Sequence, residues 1–147
     1  MKNEAVVIRR TYDAPVEKVW KAITDKDQMK QWYFDTLEDF KPEPGFTTRF
    51  DVKNDNKIFP HIWKVTEVVP GKKIAYEWKF GGYPGNSLVT FELSAEGDKT
   101  TLTLTHSGLE TFDPAVYPDL AKENFVKGWT YFTGTALKKF VEETVTA

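Results

Sequence analysis

The sequence predicts an α+β domain in which a curved antiparallel sheet of about seven strands, in the order β-α-α-β-β-β-β-β-β-α, wraps around a long C-terminal helix. Short alternating segments between Leu37 and Leu109 are broken at regular intervals by turn residues, the pattern of an antiparallel meander. After Pro118 the chain carries no proline and repeats apolar residues at helical spacing. Aromatic residues make up 15% of the chain, with five Trp and eleven Phe, so rings fill the interior or line a cavity in it.

The first element, Glu4 to Tyr12, is rich in β-branched residues and reads as a strand. It stops at Asp13-Ala14-Pro15, where Asp13 can cap a helix whose first turn tolerates proline. From Val16, apolar residues recur at Val19, Trp20 and Ile23, which predicts a one-sided amphipathic helix with Trp20 and Ile23 in the core. A short second helix, Lys26 to Trp32, follows.

Turns are expected at Pro44-Gly45, Asn54-Asp55-Asn56, Pro70-Gly71, Gly81 to Asn86 and Gly97-Asp98. Between them Phe46, Thr48, Phe50 and Val52 share one face, as do Ile74, Tyr76, Trp78 and Phe80, and likewise Leu102, Leu104 and His106. A sheet with one apolar face needs a cover. Asp119 to Glu143 supplies it, with Phe125, Trp129, Phe132, Ala136 and Phe140 as the inner stripe of a long helix. Gly128 and Gly134 each weaken that helix by about 1 kcal/mol relative to Ala, so a close approach to the sheet or a ligand is expected at them.

The 147 residues match one ordinary domain, and residues 1–147 are read as a single unit. Twenty basic residues against 22 acidic ones give a net charge of −2, interspersed along the chain, which argues against nucleic acid as a partner. The absence of cysteine excludes disulfides and thiolate chemistry and fits a cytoplasmic setting. No segment approaches the about eighteen apolar residues of a membrane span, and Ala5 to Arg10 is no signal-peptide core.

Particular segments carry a family resemblance. They are Asp13-Ala14-Pro15-Val16-Glu17-Lys18-Val19-Trp20, Gln31-Trp32, Val65-Thr66-Glu67-Val68-Val69-Pro70, Tyr76-Glu77-Trp78, Ser87-Leu88-Val89-Thr90-Phe91-Glu92-Leu93 and Thr100-Thr101-Leu102-Thr103-Leu104-Thr105-His106. Gly128-Trp129 with Leu137 completes the series. In this order the chain resembles the START-like (SRPBCC) superfamily, and within it the family named for the C-terminal domain of the activator of heat shock protein 90 ATPase. The resemblance implies a helix-grip fold with a cavity between sheet and long helix, and ligands that across the superfamily include lipids, polyketides and hormones. It implies no single reaction.

Catalytic and metal signatures are missing from the residues themselves. His61 and His106 are the two histidines, and neither has the spacing to Ser and Asp or Glu of a hydrolase triad, nor the cluster of a zinc site. No cofactor is expected, since Gly81 to Gly85 precedes no helix and so makes a hairpin turn in place of a phosphate cradle.

The candidate cavity wall takes Phe50, Trp63, Tyr76 and Trp78 from the strands and Phe125, Trp129, Phe132 and Thr133 from the long helix. Trp32, Phe34 and Phe112 would flank an entrance. The competing reading of every ring is core filler. His106 shares the apolar face, where it either bonds a ligand or is satisfied internally; His61 joins it if Pro60 leaves its strand unbroken. Three functions follow: binding of a mostly apolar small molecule such as a lipid or polyketide, a co-chaperone-like interaction with a heat shock protein 90 type ATPase, and a polyketide cyclase-like enzyme using His106.

Overall fold

A computed structural model describes residues 5–54 and 57–143. Glu4, and Asp55 and Asn56 of one expected turn, lie outside the described residues. Strand β1 (Val6–Tyr12) is followed by helices α1 (Val16–Thr24) and α2 (Lys26–Trp32), the latter with the bounds its sequence predicts. Asp13 does not cap α1: Pro15 holds that position, and the backbone N–H of Asp13 donates instead to Glu142 Oε2 at 2.9 Å. Asp25 does cap α2, its carboxylate accepting from the N–H of Gln28.

Strands β2 (Thr47–Asn54), β3 (Lys57–Val69), β4 (Lys73–Phe80), β5 (Ser87–Glu96) and β6 (Lys99–Ser107) form the meander, and β1 pairs with β6 to give the order β1-β6-β5-β4-β3-β2. All pairs are antiparallel. The sheet has six strands where about seven were expected. The stretch from Leu37 to Glu43 enters the core through Leu37 and Phe40 but joins no ladder. A β-bulge between Val65 and Glu67, where Thr66 Oγ1 donates to Ala75 O, bends β3 and adds to the curvature.

The buried faces follow the predicted alternation: Thr48 and Phe50 on β2, Tyr76, Trp78 and Phe80 on β4, Leu102, Leu104 and His106 on β6. Pro60 leaves β3 intact, because it stands just outside the first β3–β4 pair, His61 with Phe80, and its carbonyl accepts from Gly81 N–H. His61 therefore shares the concave face with Phe59, Trp63 and Val65.

The C-terminal cover is segmented. Short 3-10 turns at Leu109–Phe112 and Pro118–Leu120 precede α3 (Lys122–Tyr131), a π-helical segment (Phe132–Ala136) and α4 (Leu137–Glu143). Its buried set is Trp129, Thr133, Leu137 and Val141, while Phe125, Phe132, Ala136 and Phe140 of the expected stripe are half-buried flanks. Residues four apart drift about 40° per step on a regular helix, and the wider π turn absorbs that drift. Tyr12 Oη donates to Thr133 O at 2.7 Å, and Thr133 Oγ1 to Trp129 O at 2.6 Å, which satisfies two carbonyls beside the irregularity. Gly134 is explained, since a Cβ there would stand 3.1 Å from the Arg10 guanidinium on β1; Gly128 meets nothing within 4 Å, and no packing accounts for it.

Candidate functional site

The concave face is mostly solid. Trp63, Tyr76, Phe91, Leu104 and Trp129 fill its middle, each with almost no exposed surface. Space opens at one end, where the β2–β3 and β4–β5 ends of the sheet face the start of α3. The cavity there has a volume of about 250 Å³, is open to solvent, and is lined by Phe34, Val52, Phe59, His61, Trp78, Phe80, Asp119, Leu120, Asn124 and Phe125.

The chain builds each wall locally. Strand alternation projects Val52, Phe59, His61, Trp78 and Phe80 inward. The Pro118–Leu120 turn supplies Asp119 and Leu120, held because Asn124 Nδ2 donates to the carbonyls of Pro118 and Asp119 at 3.1 and 3.2 Å. Across the rim, Lys57 Nζ meets Asp119 Oδ2 at 2.7 Å, an exposed ion pair between β3 and this turn. Gly85 takes φ +93°, and a Cβ on it would fall 2.3 Å from Thr111 O, so the β4–β5 loop packs directly onto the 3-10 turn that carries Phe112.

His61 is 6% exposed and is surrounded by Phe34, Phe50, Trp78 and Phe80 at ring-centroid distances of 4.8 to 5.3 Å. Its Nδ1 lies 2.8 Å from Phe59 O. A carbonyl only accepts, so Nδ1 carries the proton and Nε2 keeps its lone pair. Burial lowers the imidazole pKa to about 4, which leaves the ring neutral near pH 7.

His106 is built differently. Trp129 Nε1–H donates to its Nδ1 at 3.0 Å, so Nε2 holds the proton and donates to Ser87 Oγ at 2.8 Å. Ser87 Oγ–H donates in turn to Trp78 O at 2.7 Å. This chain of bonds ties α3 to β6, β5 and β4. The ring has no exposed surface, and burial lowers its pKa to about 3. Both nitrogens are engaged inside the protein, so the internally satisfied reading holds and no proton of His106 reaches the cavity.

Of the expected wall residues, Phe34, His61, Trp78 and Phe125 come together at the cavity. Phe50, Trp63, Tyr76, His106, Phe112, Trp129 and Thr133 lie in the packed interior. Tyr76 shares a 2.8 Å hydroxyl contact with Tyr33, and burial raises both phenol pKa values. Trp32, whose Nε1–H donates to Ala22 O at 2.7 Å, and Phe132 border a separate cleft of about 460 Å³. Phe34 and Val52 border both spaces.

The sequence reading missed Val52, Phe59, Phe80, Asp119, Leu120 and Asn124 as wall residues. Alternation with His61 and Trp78 would have found Phe59 and Phe80; the other side depends on a 3-10 turn with no periodic signal. Among the described residues no group of His, Asp and Glu could hold a metal ion, and no helix is long and apolar enough to cross a membrane.

Comparison with solved structures confirms the fold. Protein CV1439 from Chromobacterium violaceum superposes with a TM-score of 0.79 at 21% identity, over 97% of this chain and 99% of that one. The Aha1 dimer from Colwellia psychrerythraea gives 0.70 at 23% identity, over 94% and 96%. DynU16, from the dynemicin biosynthetic locus, gives 0.74 at 25% identity over 93% of this chain but 46% of its own length. No curated protein matches the sequence. The model of the family Activator of Hsp90 ATPase homolog 1-like protein matches residues 13–142, nearly the whole chain. With the sheet, the covering helix and the segment order all in agreement, the chain belongs to that family.

Proposed function

We propose that the chain binds a small, mostly apolar molecule in the cavity between the end of the sheet and the start of α3. The observation that carries this is an open space of about 250 Å³ walled by rings from strand, loop and helix. A packed core of this size leaves few voids larger than a water, so such a space at the surface is a reason to look for a guest. Release of water from the apolar wall, about 25 cal/mol per Å², supplies the main driving force. The likeness to a protein of a biosynthetic locus supports the same reading.

Val52 is half-buried at the mouth, so Val52→Trp adds its bulk to open space. Titration of aromatic compounds followed by tryptophan fluorescence and by amide shifts at the cavity should give saturable binding to the wild type, and at least tenfold weaker binding to the variant with its melting temperature retained. Equal affinity for both proteins would remove this cavity from consideration.

The family match and the Aha1 dimer favour a second reading, an interaction domain for a heat shock protein 90 type ATPase. Stimulation of that ATPase by the purified chain would support it. A flat response across saturating concentrations would end it.

A further inference from the structure

Resting on the cavity reading above, we propose that the preferred guest is a neutral aromatic molecule of one ring bearing a hydroxyl, a phenol, whose O–H donates to His61 Nε2. Size comes first. An apolar cavity of about 150 Å³ holds benzene, and drug-sized ligands occupy about 300 to 1,000 Å³. At about 250 Å³, this space is filled by one ring with a short substituent, and a fused polycycle would have to leave part of its surface outside.

The wall selects an aromatic guest. Phe34, Phe59, Trp78, Phe80 and Phe125 line the space, and their rings meet one another and His61 at tilted and edge-on angles, such as 80° between His61 and Phe80 and 75° between Trp78 and Phe125. Rings set at such angles offer both edges and faces to a planar guest, the arrangement aromatic pairs prefer.

Polarity then selects the substituent. The Nδ1–H of His61 is spent on Phe59 O, so the nitrogen left over is an acceptor, and among the described residues it has no protein partner. It can accept a hydrogen bond from a guest. No lysine or arginine lines the space, and the Lys57 ammonium at the rim is already paired with Asp119, so nothing in the wall offsets the desolvation of an anionic guest. A hydroxyl supplies the donor without charge. Its oxygen lies at one end of an otherwise apolar body, which suits a wall whose other polar residues, Asp119 and Asn124, already have an ion pair and hydrogen bonds of their own.

The test is a matched set: 4-methylphenol, 4-methylanisole, toluene and 4-methylbenzoate, titrated into the intact protein and followed by amide shifts at the cavity and by the ¹⁵N shift of His61 Nε2. The phenol should bind about tenfold tighter than the ether and toluene, the scale of one hydrogen bond, and should alone move the Nε2 signal. The benzoate should not bind. His61→Phe should equalise phenol and toluene, and His61→Gln, which restores an acceptor, should return the preference for the phenol. Equal binding of phenol and ether by the wild type, or benzoate binding as tight as the phenol, overturns the ligand class while the cavity reading stands. If none of the four compounds moves any cavity signal, the cavity reading itself falls.

Discussion

Two imidazoles sit on the same concave face, yet their surroundings assign them opposite tautomers. His106 holds its proton on Nε2 because an indole N–H occupies Nδ1; His61 holds it on Nδ1 because a carbonyl does. Replacing His106 by Leu keeps the volume near constant but strands the Trp129 N–H in an apolar interior, at a cost of about 2 kcal/mol. Urea unfolding should show this as a lower midpoint with an unchanged slope. Acid supplies a second prediction. Both rings are held below the unfolded imidazole value of about 6.5, at about 4 and about 3, so the unfolded chain binds more protons than the native one between these limits. Their contribution is full above pH 6.5 and is lost as pH falls toward 4 and then 3. Unfolding free energies measured by denaturant from pH 7 to 4 should fall by up to about 1.4 kcal/mol per pH unit for each ring, and His61→Phe should halve the part of the slope the two rings supply. Period-2 spacing turned His106 inward on paper, and His61 only on condition that Pro60 left its strand unbroken. Their partners were hidden, because Ser87 and Trp129 lie 19 and 23 residues from His106 and meet it only when three strands and a helix have assembled.

Among the elements, the C-terminal cover departs furthest from its pattern. A single helix from Asp119 to Glu143 would have set Phe125, Trp129, Phe132, Ala136 and Phe140 against the sheet, whereas the π segment rotates the seam onto Trp129, Thr133, Leu137 and Val141. The apolar spacing in the sequence fits either seam. What decides is the depth of Thr133, whose hydroxyl bonds back to Trp129 O and whose carbonyl takes the Tyr12 phenol from β1. Tyr12→Phe removes that donor from a buried carbonyl and should lower stability by about 1 kcal/mol, read as a fall of a few degrees in melting temperature. The strands were easier to read, since turn residues and alternation agree along most of the meander. The stretch before Pro44 misled by carrying Leu37 and Phe40, apolar residues that anchor a loop in the core without pairing.

For the whole molecule, the aromatic surplus divides into a solid middle and a hollow end. Composition alone could not make that division, because the same rings serve as filler or wall according to whether a facing element comes close enough to fill the gap. Phe34 marks the boundary, with the cavity of about 250 Å³ on one side and the cleft of about 460 Å³ on the other. Phe34→Ala should join the two and admit two-ring guests such as 2-naphthol, which the wild type should bind at least tenfold more weakly than 4-methylphenol; competition titrations would measure the reversal. Trp78 gives this division a mechanical sense. Its indole borders the hollow end and lies 5.3 Å from both His61 and His106, and its carbonyl ends the hydrogen-bonded chain that seats α3. Trp78 therefore belongs at once to the wall of the hollow and to the bonded chain that seats the cover, so a change in the placement of its strand is felt at both.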